Sequence, residues 1–242
     1  MDIGFMLNTL GQLLGAVPMT LMLLICSVSL GGLIALVITW MRVSRIWPLE
    51  RFARVYILIF RGSPLLIQMF LIYYGLSQFP AVRHSIFWLA LKSPFYCAVI
   101  SLALCTGGYT AEIFRFGLLA VSGNEVEAAR ATGMSGFLLF RRIIAPLALR
   151  AALPAYSTEI ILMAKSTSLA SLVTVWEVTG VAQRIITQTY RSMEVFICAA
   201  IIYLVLNFII VRLFALAEHA VSPHLRRRPD IEAAQAAGAI AH

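Results

Sequence analysis

Charged residues are scarce in this chain of 242 residues. They make up 12% of it, whereas a soluble domain carries about 25%. Hydrophobic residues make up 61%, and the mean hydropathy is +0.89. This composition excludes an ordinary soluble domain and indicates a protein that crosses a membrane several times.

Cysteine and histidine are also few, and neither forms a metal-binding pattern. There is no CxxC spacing and no mixed cysteine–histidine cluster. Cys26, Cys97, Cys105 and Cys198 all lie in or beside apolar segments, where cysteine serves as a small core residue. We therefore expect neither a disulfide framework nor a metal site.

Lysine occurs only as Lys92 and Lys165, and no Gly-x-x-x-x-Gly-Lys-Ser/Thr loop is present. Such a loop needs a lysine that reaches the phosphates and glycines that let backbone amides cradle them. If ATP drives this protein, another chain must bind the nucleotide and its Mg²⁺. The sequence also lacks an internal repeat, which disfavours a secondary transporter built from repeated halves.

Long apolar runs dominate the chain. Runs of about 20 residues can cross a hydrocarbon core about 30 Å thick. Because they are continuously apolar rather than alternating, they predict helices and not a β-barrel. We predict an all-α membrane protein with about five spans, at 18–40, 56–78, 94–114, 151–174 and 194–217. The first run lacks a basic flank and a cleavage site, so we expect a retained span, not a signal peptide.

Basic residues predict the orientation, because they cluster after the first, third and fifth spans. The clusters are Arg42, Arg45, Arg51 and Arg54, then Arg115, Arg130, Arg141, Arg142 and Arg150, and finally Arg226, Arg227 and Arg228. The positive-inside rule places the N-terminus in the periplasm and the C-terminus in the cytoplasm. Since the net charge of +8 follows this topology, it does not indicate nucleic acid binding.

Three regions follow from this topology. We expect a periplasmic N-terminal segment at 1–17 and a transmembrane domain at 18–217, with a cytoplasmic loop at about 115–150. The remaining residues, 218–242, are expected to form a cytoplasmic tail. Its arginine cluster would lie at anionic headgroups.

The loop between the third and fourth predicted spans contains a short polar motif. Its residues are Glu127, Ala128, Ala129, Gly133, Ile143 and Pro146. Residues 127–131 have a helical composition, and Gly133 permits a sharp change of direction. Ser135 is placed to cap the helix that follows. The alternative is an ordinary surface loop between two membrane helices.

This spacing resembles the EAA motif of the membrane subunits of bacterial ABC importers, in which EAA, three residues, glycine and nine residues precede I-x-L-P. Ala145 stands where the family usually has leucine. The smaller alanine side chain would loosen one packing contact. In that family the motif forms a coupling helix that sits in a groove of the ATPase. The resemblance implies an ATPase docking site with its core at Glu127, Ala128, Ala129 and Gly133, closed by Pro146.

Three further segments resemble permeases for polar amino acids. They are Phe60 to Leu66 (FRGSPLL), Gly108 to Arg115 (GYTAEIFR) and Lys165 to Ser171 (KSTSLAS). The similarity is to the branch that imports histidine, lysine, arginine, ornithine and the opines octopine and nopaline. It implies a type I importer permease of the bacterial inner membrane. Its implied partners are two ATPase subunits, a periplasmic binding protein, and a second permease or a copy of itself.

Gly62, Ser63 and Pro64 are predicted to interrupt the second span, because proline removes a backbone donor and crowds the preceding turn. Such breaks are tolerated in membranes where the backbone faces protein or water. The functional interpretation is a hinge or a pathway element. The alternative is a static kink.

Ionisable residues within the spans are costly in lipid and therefore mark candidate functional positions. Glu159 lies about 13 Å along the helix from Arg150, and Lys165 about 9 Å further. These two side chains should point about 120° apart, so no ion pair is expected between them. We hypothesise that Glu159 contacts the cationic group of a basic amino acid or opine, with Lys165 and Ser166 along the same pathway. The alternative is structural hydrogen bonding at a dimer interface.

The sequence therefore predicts a permease subunit of an ATP-driven importer of polar, mainly basic, amino acids or opines. No catalytic constellation is present, so we expect a transport subunit and not an enzyme. One competing hypothesis is an ion-coupled secondary transporter in which Glu159 binds a proton or cation. Another is a membrane scaffold, which leaves Glu159 unexplained.

Overall fold

The computed structural model describes residues 2–86 and 88–221. This part of the chain is almost entirely helical and contains no strand, which confirms the all-α class. The helices of the first half are α1 (Ile3–Leu14), α2 (Val17–Val43), α3 (Trp47–Gly62), α4 (Leu65–Phe70), α5 (Pro80–Arg83), α6 (Trp88–Leu91) and α7 (Pro94–Leu119). Those of the second half are α8 (Gly123–Ala131), α9 (Gly136–Leu139), α10 (Ala145–Ser166), α11 (Val178–Thr189) and α12 (Ser192–Val221).

Short segments of tighter or wider helix connect several of these elements. A π-helical turn, Leu71–Gly75, and a 3₁₀ segment, Leu76–Gln78, extend α4. A second π-helical turn, Phe140–Ile144, joins α9 to α10. A second 3₁₀ segment, Thr167–Val173, follows α10.

The centre of the fold is the pair α2 and α7, with α10 packed against α7. The pair approaches closely at Gly31, where a Cβ atom would meet the Thr106 methyl and lie 3.0 Å from the Ala103 carbonyl oxygen. Buried side chains of α2, α4, α7 and α10 form the largest core cluster, which includes Leu23, Met69, Leu102 and Met163. Small residues at the helix contact therefore permit the close packing that the apolar runs require.

Three helical stretches of the described part are long and apolar enough to cross a membrane. They are Ile3–Val43, Pro94–Leu119 and Ser192–His219. These stretches contain the predicted first, third and fifth spans. Since α7 continues to Leu119, the first residues assigned to the loop at 115–150 belong to a helix. The last residues of that loop belong to α10.

The predicted second span, 56–78, is divided into two helices at the predicted interruption, Gly62, Ser63 and Pro64. α3 begins at Trp47, with Pro48 in its first turn, where a missing backbone N–H is harmless. The chain bends by 104° between α3 and Leu65–Gln78. Counted as one broken span, this pair gives up to four candidate spans in the described residues, against the five predicted.

The predicted fourth span, 151–174, corresponds to α10 and the 3₁₀ segment after it. α10 carries Arg150, Glu159 and Lys165 and is not among the helices that length and composition identify as candidate spans. The five-span topology therefore stays a prediction.

The N-terminal segment, 1–17, contains the helix α1, which packs against α11 and α12. Asp2 caps this helix by accepting the Phe5 N–H at 3.2 Å, and its carboxylate lies 3.3 Å from Arg191. The contact with Arg191 joins the start of the chain to the turn between α11 and α12. At the other end, α12 runs to Val221, and the predicted tail beyond it, with Arg226 to Arg228, lies outside the described residues.

Candidate functional site

The predicted coupling motif forms a separate short helix, α8, that ends at a glycine with positive φ. The Met134 N–H donates to the Ala129 carbonyl at 3.1 Å, and the Gly133 N–H donates to the Arg130 carbonyl at 2.9 Å. This pair of hydrogen bonds is a Schellman motif, which needs a left-handed residue after the last helical turn. Gly133 supplies it with φ of +86°. The motif glycine thus ends α8 and redirects the chain.

The motif residues divide between a groove and the open surface. Ala129 is buried, whereas Glu127, Ala128 and Gly133 are exposed. Ala128 and Ala129 line a groove of about 510 Å³ together with Pro146 in the first turn of α10. Glu127 and Gly133 are not among the residues that line this groove. The structure therefore brings three of the five predicted docking residues together and leaves Glu127 beside them on the exposed face of α8.

Beyond α8, the chain is helical without a break from Gly136 to Ser166, through α9, the π-helical turn and α10. Ser135 occupies the N-cap position of α9, but its side chain makes no capping hydrogen bond, so that predicted role is wrong. π-helical turns inside longer helices are often found at functional sites. This continuous segment joins the surface beside α8 to the part of α10 that carries Glu159.

The predicted break at Gly62, Ser63 and Pro64 is confirmed as the end of α3. Pro64 cannot donate to the Phe60 carbonyl, as a residue four positions on would in a continuous helix. The Gln68 amide nitrogen takes that place, 3.0 Å from the Phe60 oxygen and 3.0 Å from the Ser63 oxygen. Gln68 is 6% exposed. Its amide therefore stabilises the bend from within, a role that sequence reasoning missed.

The predicted pathway residues lie at different points on α10 and do not form one cluster. Glu159 is 7% exposed, and its Oε1 accepts a hydrogen bond from the Thr106 hydroxyl of α7 at 2.9 Å. Lys165 is exposed, and the Ser166 hydroxyl donates to the Leu162 carbonyl at 2.9 Å. No ion pair joins Glu159 to Lys165 in the described part of the chain, as their spacing predicts. The buried carboxylate is thus held by a neighbouring helix.

Two of the segments that resemble amino acid permeases contact each other beside the break. The Arg61 guanidinium lies over the Tyr109 ring, 4.9 Å from its centroid. The Tyr109 hydroxyl donates to the Arg61 carbonyl at 3.4 Å. These contacts hold the end of α3 against α7, one helical turn from Thr106.

A network of charged side chains connects α2, α3 and α7. Glu112 and Arg115, three positions apart on α7, form an ion pair with 2.7 Å between Oε2 and Nη2. Arg42 adds to it, with its Nε 3.5 Å from Glu112 and its Nη1 3.0 Å from Glu50. The spacing of three residues brings Glu112 and Arg115 together on one helix, whereas Arg42 comes from a different helix. The network fixes the relative positions of three helix ends.

Comparisons with known proteins agree with this architecture. Residues 27–223 match the family described as binding-protein-dependent transport system inner membrane component. The octopine transport system permease protein of Rhizobium radiobacter is 53% identical over 225 residues, which cover 93% of this chain and 92% of that protein. The histidine/lysine/arginine/ornithine transport system permease protein of Escherichia coli is 40% identical over 222 residues, covering 91% and 93%.

A solved structure shows the same fold. The crystal structure of an amino acid ABC transporter with histidines contains a chain that matches with a TM-score of 0.80 and 34% identity, covering 91% of this chain and 99% of that one. The all-helical architecture and the similarity over nearly the full length of the chain agree with each other. This chain belongs to the family of inner membrane components of binding-protein-dependent transport systems.

Proposed function

We propose that this chain is the membrane-spanning permease of an ATP-driven importer of basic amino acids or opines, and that α8 is its docking helix for the ATPase. The observation that carries the docking proposal is α8 itself. It is a short helix with an exposed polar face, ended by Gly133, and it borders a groove shared with α10. An element of this kind offers a soluble partner both a shaped surface and a direct connection to a long helix.

The substrate class is supported by the relatives. One of them is a permease for octopine, and the other serves histidine, lysine, arginine and ornithine. Each of these substrates carries at least one cationic nitrogen group at neutral pH, since histidine with a neutral imidazole keeps its protonated α-amino group. Basic amino acids or opines are therefore the substrate class that we propose for this chain.

The proposed assembly contains two ATPase subunits that bind ATP with Mg²⁺, a periplasmic binding protein, and a second permease that is homologous or identical. It is placed in the bacterial inner membrane as a multi-pass complex. Closure of the ATPases would displace α8. The continuous helical segment from Gly136 to Ser166 would carry that displacement to Glu159. The bend at Gly62, Ser63 and Pro64 is proposed to act as a hinge between α3 and α4.

Glu159 is the proposed contact for the cationic group of the substrate, with Lys165 and Ser166 further along the pathway. One carboxylate oxygen of Glu159 accepts from Thr106, and the described hydrogen bonds include none to Oε2. A carboxylate held on one side by α7 can still accept a hydrogen bond from a cation on its other side.

The docking proposal is tested by purifying the tagged chain gently from native membranes. We expect an ATPase with a P-loop to accompany it. Gly133→Ala should reduce the retained ATPase about five- to thirtyfold, because a left-handed conformation costs a residue with a Cβ about 1–2 kcal/mol. The amount of ATPase per permease is the measurement.

Gly123→Ala is the matched control. Gly123 lies at the start of the same helix, and a Cβ there would meet nothing within 4 Å. This variant should retain the ATPase as the wild type does. A wild-type chain that purifies alone and moves substrate in liposomes without ATP would overturn the docking proposal and favour an ion-coupled transporter that uses Glu159.

A further inference from the structure

A pocket of about 400 Å³, lined by apolar surface together with several polar side chains, lies between the 3₁₀ segment after α10 and the helix α11. Thr174 and Trp176 line it from the segment that connects these two elements, and Gln183, Arg184 and Thr187 line it from α11. None of the predicted pathway residues borders it. The pocket is therefore separate from the Glu159 position.

α11 has one apolar and one polar face, and the polar face borders this pocket. Its buried residues include Val178, Ala182 and Ile185, which pack in the cluster formed with α1 and α12. Gln183 and Arg184 on the other face are exposed. α11 lies between the predicted fourth and fifth spans, on the periplasmic side of the predicted topology. The polar face of α11 must border water, a ligand or another protein.

The positive charge of Arg184 is not neutralised within the pocket. Its guanidinium lies over the Trp176 ring, 5.6 Å from the centroid, and the described residues that line the pocket include no carboxylate. The neighbouring carboxylate, Glu177, is fully buried and already bonded. It accepts the Gly180 N–H at 2.9 Å and the Tyr203 hydroxyl at 2.6 Å. Arg184 is thus an oriented cation without a carboxylate partner among these residues.

The pocket walls are fixed before any ligand binds. Thr174 has φ of 63°, a left-handed conformation that is strained for a residue with a Cβ. The surrounding structure holds it, with its hydroxyl 3.4 Å from that of Tyr73 on the broken helix. The capping bonds of Glu177 fix the start of α11 directly after Trp176. Strained residues of this kind cluster at ligand sites, where a fixed geometry reduces the free-energy cost of binding.

We propose that this pocket is a subsite for a carboxylate group of the transported molecule, with Arg184 as the residue that binds it. Amino acids and opines both carry carboxylates, and a guanidinium matches a carboxylate with two parallel hydrogen bonds. The proposal rests on the proposed function, because it concerns the substrate of that importer. It assigns recognition of the substrate carboxylate to α11, at a position separate from Glu159.

The test compares two forms of one ligand on the purified permease–ATPase complex in nanodiscs. The probes are L-arginine or L-histidine, whichever the wild type imports, and the corresponding methyl ester, which lacks the carboxylate charge. We expect the wild type to bind the free acid at least about tenfold more tightly than the ester. Arg184→Gln should remove that difference, and Arg184→Lys should retain part of it.

Arg83→Gln is the matched control, because Arg83 is exposed and does not line the pocket. It should leave the preference for the free acid unchanged.

Equal binding of acid and ester by the wild type, or no binding of either, would overturn the subsite. The subsite would also be overturned if the Arg184→Gln variant preferred the free acid over the ester as strongly as the wild type does. A loss of uptake in that variant with the preference intact would assign Arg184 to docking of an acidic protein surface instead. ATP-driven uptake by the wild type is measured in parallel, so that failure of the importer proposal is seen separately.

Discussion

Gln68 donates to the Phe60 carbonyl, which Pro64 cannot reach as a donor, and also to Ser63 at the break. Its amide nitrogen contacts two carbonyl oxygens and, at 2.9 Å, the Ser63 hydroxyl. A buried carbonyl that loses its donor costs about 1–3 kcal/mol. We expect Gln68→Leu to lower the stability of the purified complex by about 2 kcal/mol. The measurement is the thermal unfolding midpoint in detergent.

Gln12→Leu controls for the loss of an amide as such, because Gln12 is exposed on α1. It should leave the midpoint close to that of the wild type. If Gln68→Leu unfolds at the same temperature as Gln12→Leu, the two freed carbonyls have other partners and the bend does not depend on this side chain.

A substitution of Glu159 can separate a role in the pathway from a structural role, because only one of its two carboxylate oxygens is bonded to Thr106. Glu159→Gln keeps an oxygen that can accept from Thr106 but removes the negative charge. If the charge contacts a cationic substrate, this variant should lower the initial rate of uptake about tenfold or more at equal protein levels. Uptake of radiolabelled arginine or histidine measures the effect.

Thr106→Val is the comparison for that experiment, since it removes the donor and keeps the carboxylate. We expect it to reduce uptake less than Glu159→Gln does. The opposite order, with Glu159→Gln active and Thr106→Val inactive, would show that the hydrogen bond between α7 and α10 is what matters.

The contact between α2 and α7 depends on the absence of a side chain at position 31. A Cβ at this position would meet the Thr106 methyl and approach the Ala103 carbonyl, so the helices must separate. Overpacking of this kind typically costs about 1–3 kcal/mol. Gly31→Ala should therefore lower the unfolding midpoint and, by displacing Thr106, also reduce uptake.

Gly32 provides the control from the next position on the same helix. A Cβ at Gly32 would lie 4.0 Å from the Tyr156 hydroxyl, which is an ordinary van der Waals contact. Gly32→Ala should behave as the wild type in both assays. Equal effects of the two substitutions would mean that helix flexibility, and not close approach, explains the glycines.

The helices that sequence reasoning found and those that it missed differ in a physical way. α2, α7 and α12 are long and apolar throughout, so hydropathy alone predicts them. α11 has 12 residues and a polar face, so it resembles a loop by composition. Its position depends on the buried cap Glu177 and on Tyr203, a partner 26 residues away. A carboxylate that caps one helix and contacts another cannot be identified from local spacing.

In the candidate site, too, some features could be predicted from local sequence and others depend on contacts between helices. Local motifs predicted the end of α8 at Gly133 and the break before Pro64, because both depend on backbone conformations of single residues. The hydrogen bond of Glu159 to Thr106 and the pocket at Arg184 depend on which helices are neighbours. That information is contained in the packing of α7, α10 and α11 and not in any one segment.

For the molecule as a whole, we propose that import is driven by ATP hydrolysed on a partner chain. The direct measurement is uptake into proteoliposomes that contain the chain with its permease and ATPase partners. The binding protein is added outside and ATP is enclosed inside. We expect uptake that requires both and that persists when ionophores collapse the ion gradients. Uptake driven by a proton or sodium gradient in the absence of ATP would show that the proposed energy source is wrong.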